Sequence, residues 1–171
     1  MTETASSMQE LFLDQLRDLY NAEKQITVAL PKIAKAATDE KLREAFEGHL
    51  EETHGHVERL ERIFQDLGEP STGKKCKGME GLLEEGSEAL EGDLSGVLRD
   101  ALLIAAAQRV EHYEIAGYGT VKAWAEELGF DDAAELLDET LDEEAAADEK
   151  LTSIAEGGLV REGVNEGAAA K

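Results

Sequence analysis

Along four long stretches of the chain, apolar residues recur every three or four positions, the spacing of a helix with one buried face. The first stretch runs from about Ser7 to Ala37, with the stripe Leu13, Leu16, Tyr20, Glu23, Ile26, Leu30 and Ile33. Ser7 and Glu10 have capping-box spacing, and Pro31 predicts a kink. After the turn Ala37-Thr38-Asp39, a second helix is expected to about Leu67, with stripe Leu42, Phe46, His49, Thr53, His56, Leu60, Ile63 and Leu67. Gly68 and Pro70 stop it. The third covers roughly Leu94–Leu128. The fourth begins near Asp131, after Gly129-Phe130, and ends near Ala155. Between the second and third lies a connector, Gly68–Gly92, in which Met79–Glu91 predicts a short helix weakened by Gly81 and Gly86. Residues 157–171 carry no stripe and are rich in glycine, so a disordered tail is expected there and a single domain over residues 1–156. With no strand pattern and two prolines, the fold class is all-α: an antiparallel four-helix bundle with a long crossover.

Each stripe that should be uniformly apolar is interrupted by acid. The interruptions are Glu23; Glu52, with His49 and His56; Glu111 and Glu114; and Glu144 with Asp148. An unpaired buried carboxylate is unfavourable enough that it neutralises or finds a cation. The heights of these residues can be compared by counting from the turns. Glu23 lies 15 residues before Thr38, and Glu52 and His56 lie 14 and 18 after it. Glu111 and Glu114 precede Gly129 by 18 and 15 residues, and Glu144 and Asp148 follow it by 15 and 19. At 1.5 Å per residue, each set sits about 24 Å from its own turn. A connector of about 25 residues is far longer than a tight bundle needs and can cross the full height. The second and third long helices then run parallel, the two turns lie at opposite ends, and all four acid sets meet at mid-height.

Residues at i and i+3 or i+4 share a helix face, so one helix can offer two ligands. Carboxylates with imidazole suit iron, manganese or zinc, and two metal ions need several anions around them. The candidate ligands are Glu23, Glu52, His56, Glu111, Glu114, Glu144 and Asp148, and the expected cofactor is two metal ions, iron first, with manganese or zinc as alternatives. A literal Glu-x-x-His, Glu51 with His54, points about 160° and 130° away from the stripe centre and is set aside. His49 reads as a core polar residue supporting the ligands, His54 and His112 as exposed or interfacial. Tyr20, Tyr113 and Tyr118 read as core aromatics.

The charge balance narrows the partners. Thirty-nine acidic residues against 17 basic ones give a net charge of −22. That excludes nucleic acid and anionic membrane surfaces, which require a basic patch. Part of the excess is expected to reflect a high-salt environment, which screens self-repulsion. Cys76 is the only cysteine, which rules out an internal disulfide and a thiolate zinc site and favours a reducing cytoplasm. It reads as a spectator thiol. No apolar run approaches the ~20 residues of a membrane span, and the first ten residues lack the regions of a signal peptide. Gly48 and Gly55, on the outer side of the second helix, favour close approach of the connector or of a second subunit, hence a homodimer.

Five segments carry a family resemblance: LRDLYNAEKQ, HLEETHGHVERLE, MEGLLEE, ALLIAAAQRVEHYEIAGYGT and LDETLDEEAAADEKLT. Through them the chain, from about Leu11 to Ala155, resembles the YciE/YciF-type ferritin-like proteins. The resemblance implies a rubrerythrin-like four-helix bundle, a dinuclear metal site and an association with bacterial stress. Fe(II), oxygen or peroxide would be the small substrates. The sequence departs from the ferritin pattern in the fourth helix, where Glu144 and Asp148 stand in place of Glu-x-x-His. Two functions follow as expectations. One is a di-iron (or manganese) protein that oxidises Fe(II) or removes peroxide. The other is a non-enzymatic acidic stress bundle with a structural or vestigial metal site. A third reading, in which the inward acids pair with Arg99, Arg109 or lysines, is weaker because few basic residues fall on the stripes.

Overall fold

A computed structural model of the chain describes residues 6–158 and 161–170. Four long helices appear where the stripes place them: α1 (Met8–Ala36), α2 (Glu40–Leu67), α4 (Gly96–Leu128) and α5 (Asp131–Glu156), with a shorter α3 (Lys77–Glu91) in the connector. Their ends follow local chemistry. Ser7 Oγ accepts from Glu10 N and Asp39 Oδ1 from Leu42 N, capping α1 and α2. Gly68 and Gly129 close α2 and α4 at φ 70° and 73°, the left-handed geometry in which a side chain is strained. α1 continues through Pro31 to Ala36.

The two turns stand at opposite ends. At one end Asp100, near the start of α4, accepts hydrogen bonds from Thr38 N and Asp39 N (both 2.8 Å) in the α1–α2 turn. At the other, Phe12 of α1 packs on Phe130 of the α4–α5 turn, with ring centroids 5.7 Å apart. α2 and α4 are therefore parallel, as the long connector requires, and this is the ferritin-like helical fold. α3 straps across α1 and α4; Gly78 sits so close to the Tyr113 ring that a β-carbon there would clash at 2.7 Å.

The core divides in two. One apolar cluster, around Ile26, Leu30, Phe46, Leu103, Ile104 and Leu151, fills the end with the α1–α2 turn. The other, around Phe12, Leu16, Leu60, Phe64, Val121 and Leu137, fills the far end. Between them runs a polar waist formed by all four long helices.

After α5 the chain does not follow the expectation of disorder. Gly157–Gly158 pair antiparallel with Arg161–Glu162, and α6 (Val164–Ala169) packs against α4 and α5 with Val164 buried. A single anchoring valine among glycines and alanines leaves no periodic stripe to read. Residues 1–5, 159–160 and 171, which include the start of the segment expected to lack a signal peptide and parts of the expected tail, lie outside the described residues. Gly48 and Gly55 face open space, with nothing packed on them.

Candidate metal centre

The waist holds Glu23 from α1, His49 and His56 from α2, Glu111 and Glu114 from α4, and Glu144 from α5, all buried. Helical spacing puts them there: each pair on α2 and α4 is separated by one or two turns, so both side chains enter the same layer. Two ligand groups form, each with donor atoms within 4.8 Å of one another: His49, Glu111, Glu114 and Glu144, and Glu23, His56 and Glu144. Glu144 belongs to both.

These atoms are close but unsatisfied. Glu23 Oε2, His49 Nε2, His56 Nδ1, Glu111 Oε2 and both carboxylate oxygens of Glu114 and Glu144 are buried without a hydrogen-bond partner. His56 Nδ1 lies 3.2 Å from Glu23 Oε1 and 3.0 Å from Glu144 Oε1, and His49 Nε2 lies 3.6 Å from Glu111 Oε2, yet none of these contacts has hydrogen-bond geometry. Native interiors leave only a few such groups unpaired in a hundred residues, and they are scattered. Eight in one layer fit cations between them.

The histidines are also held as ligands are. His56 Nε2 lies 2.9 Å from Glu143 Oε2, and His49 Nδ1 lies 3.3 Å from Glu52 Oε2. A metal-binding imidazole characteristically donates its outer N–H to a carboxylate, which leaves the inner nitrogen as a lone pair. Arg59 fixes Glu143 with two bonds of 2.6 and 2.8 Å. Tyr118 Oη donates to Glu23 Oε1 at 2.5 Å. Without cations, burial pushes the carboxyls of Glu111 and Glu114 well above the usual range and raises Glu144 as well. For His56, burial pulls the other way, but Glu144 and Glu23 outweigh it and raise the imidazole to about 10. Burial thus favours the protonated carboxyls of Glu111, Glu114 and Glu144 wherever no cation balances them.

Five of the seven residues expected from the sequence thus come together: Glu23, His56, Glu111, Glu114 and Glu144. Glu52 is 50% exposed at the edge, bonded to His49. Asp148 turns away, accepting from Gln108 Nε2 at 3.1 Å and pairing with the exposed His112 at 3.3 Å. His49, expected to support the ligands, is itself in the ligand layer. Glu143 carries no stripe position, so nothing in the sequence singles it out. Arg99 and Arg109 bond backbone carbonyls rather than the waist, and among the described residues the ion pairs of buried Glu23, Glu111 and Glu144 are with His49 and His56.

Cys76 caps α3, and its thiol contacts Asp18 Oδ2 at 2.9 Å and Tyr113 Oη at 3.0 Å. Burial first, then Asp18, raises its pKa, so it is no ready nucleophile.

Fold and waist together define a ferritin-like helical bundle with a buried glutamate–histidine cluster able to hold metal. The chain belongs to the family described as a domain of unknown function, DUF892, whose family model matches residues 7–168. It is 51% identical over 150 residues to Protein YciF of Escherichia coli K12, covering 87% of this chain and 90% of that one. The crystal structure of the E. coli stress protein YciF superposes with a TM-score of 0.85 at 50% identity, over 87% of this chain and 94% of that one. YcfI of Rhodopseudomonas palustris matches with a TM-score of 0.86 at 46% identity, over 91% and 99% of the two chains. Among the described residues no helix is long and apolar enough to cross a membrane.

Proposed function

We propose that this protein is a cytoplasmic stress protein that holds two divalent metal ions, iron first, in the waist of its bundle. There it oxidises Fe(II) or removes peroxide. The observation that carries this reading is the set of eight buried, unpartnered ligand atoms. Charge supports it: four buried carboxylates balance two divalent cations if both histidines bind neutral. Glu23, His56 and Glu144 would hold one ion, and His49, Glu111, Glu114 and Glu144 the other. Two adjacent Fe(II) ions would supply one electron each to oxygen or peroxide and be left as Fe(III). The protein's own contribution is to orient the histidines through Glu143 and Glu52, to orient Glu23 through Tyr118, and to exclude bulk water with the two apolar clusters.

Anaerobic titration with Fe(II) followed by air is the test. Saturation near two ions per chain and oxygen consumption support the reading; no uptake rejects it. Uptake without consumption favours the second reading, a non-enzymatic bundle with a structural metal site. The provisional description of the Rhodopseudomonas relative as a structural protein speaks for that one. Under either reading we propose a homodimer. Val28, 64% exposed on α1, lies in an apolar groove between α1 and α3 with Lys24 and Lys32 on one edge and Glu80 and Glu84 on the other. That pattern is complementary to itself about a two-fold axis.

A further inference from the structure

The waist is closed on most sides. Glu23, His56, Glu114 and Glu144 have no exposed surface, while His49 and Glu111 retain a few per cent. Both of these line one small vestibule of about 90 Å³ between α2 and α5, walled by Ala45, Phe46, Ala146, Ala147 and Leu151. Its rim carries Glu52 and Lys150. The two ligands that keep any exposure are thus the two that line this cavity.

We propose that this vestibule is the port by which hydrated divalent metal ions reach the ligand layer, with Glu52 drawing the ion from solvent and His49 and Glu111 receiving it. The inference rests on the metal reading above and adds its route. Glu52 is placed for the task, since its half-exposed carboxylate touches both water and His49. Small side chains keep the wall open: Ala146 is exposed and Ala147 partly so. The corresponding position two turns along α2 is shut. There His56 also faces an acid, Glu143, but Arg59 lies across it, bound to Glu143, Glu139 and Thr140. A guanidinium fixed by these partners covers that flank. The other flanks are covered as well: Tyr118 closes the Glu23 side, and the Gln108–Asp148–His112 group occupies the outer α4–α5 face. The net charge of −22 concentrates cations at the whole surface, and the vestibule is where that attraction leads to a ligand.

A port changes how fast ions arrive without changing how many are held. The experiment is stopped-flow loading of the metal-free full chain with Co(II), followed by its absorbance, beside an equilibrium count of bound cobalt. Ala147→Leu, which fills the vestibule, should slow loading and release together and leave the final count unchanged; Ala146→Leu repeats the test at the rim. Glu52→Gln keeps an acceptor for His49 but removes the charge, and should slow loading by about tenfold at low salt, the difference shrinking as salt is added. Unchanged loading rates in all three variants overturn the port while leaving the site intact. Failure of the unaltered protein to take up Co(II) overturns the metal reading and the port with it.

Discussion

Tyr118 shows how single side chains set this site. Fully buried, it spends its hydroxyl on Glu23 Oε1 and so fixes which oxygen of that carboxylate is left to face the waist. Tyr118→Phe should retain the fold and lower Co(II) affinity about tenfold, the usual effect of losing a group that orients a ligand; competition against a chelator measures it, and an unchanged affinity would reduce Tyr118 to packing. Protons compete for the same atoms. A carboxyl raised above its ordinary 4.5 by burial, as in Glu111 and Glu114, adds stability below that value and loses it as pH climbs through the raised one. His56, raised to about 10, adds stability below ~6.5 and loses it as pH approaches about 10. Both signs weaken the metal-free protein as pH rises, and a cation takes the protons' place. The gain in melting temperature on adding Mn(II) should therefore grow between pH ~5 and ~8; a gain independent of pH would contradict the assignment. At this scale the sequence is only partly legible. Glu52 lies about 60° around α2 from His49 at 100° per residue, which places it on the flank rather than in the layer. Asp148 lies about 40° beyond Glu144, enough to turn it towards Gln108 on α4. In so acidic a chain an acid near a stripe carries little information, and only packing separates the ligand from its neighbour.

At the scale of elements, the register of four helices decides whether the ligands meet, and Asp100 is a main fastener of that register. Its carboxylate, 2% exposed, accepts from Thr38 N, Thr38 Oγ1 and Asp39 N, tying the start of α4 to the α1–α2 turn and the first turn of α2. Gly96 leaves room for Thr38, where a β-carbon would come within 2.8 Å. Asp100→Ala should destabilise the protein by about 2–4 kcal/mol, because three hydrogen bonds to a charged acceptor are lost, two of them from backbone amides of the α1–α2 turn. A urea midpoint that moves by less than about 0.5 kcal/mol equivalent would show that apolar packing alone sets the register. The helices themselves were readable from their stripes to within a residue or two, as were the glycine stops at Gly68 and Gly129. α3 was readable over Met79–Glu91 despite Gly81 and Gly86; its first turn was not, because Gly78 there answers to the close approach of the Tyr113 ring, which only packing reveals. α6 has no stripe at all.

For the whole molecule, the division of one core into two apolar clusters is the organising fact. Counting residues from the turns already placed every acid set at one height, because helical rise is fixed and the connector is too long for a simple up-down bundle. What counting could not give was the angular choice within the layer, which placed His49 inside and Glu52 outside. A bundle that leaves eight ligand atoms unpartnered between two well-packed halves is unfavourable by itself and makes sense with cations in place. That claim is open to direct sight. Crystals grown with Mn(II) or Co(II) and measured at the metal's absorption edge should show two anomalous peaks in the waist of each chain, on either side of the Glu144 carboxylate. Anomalous density confined to surface acids, with the waist empty at saturating metal, would contradict it.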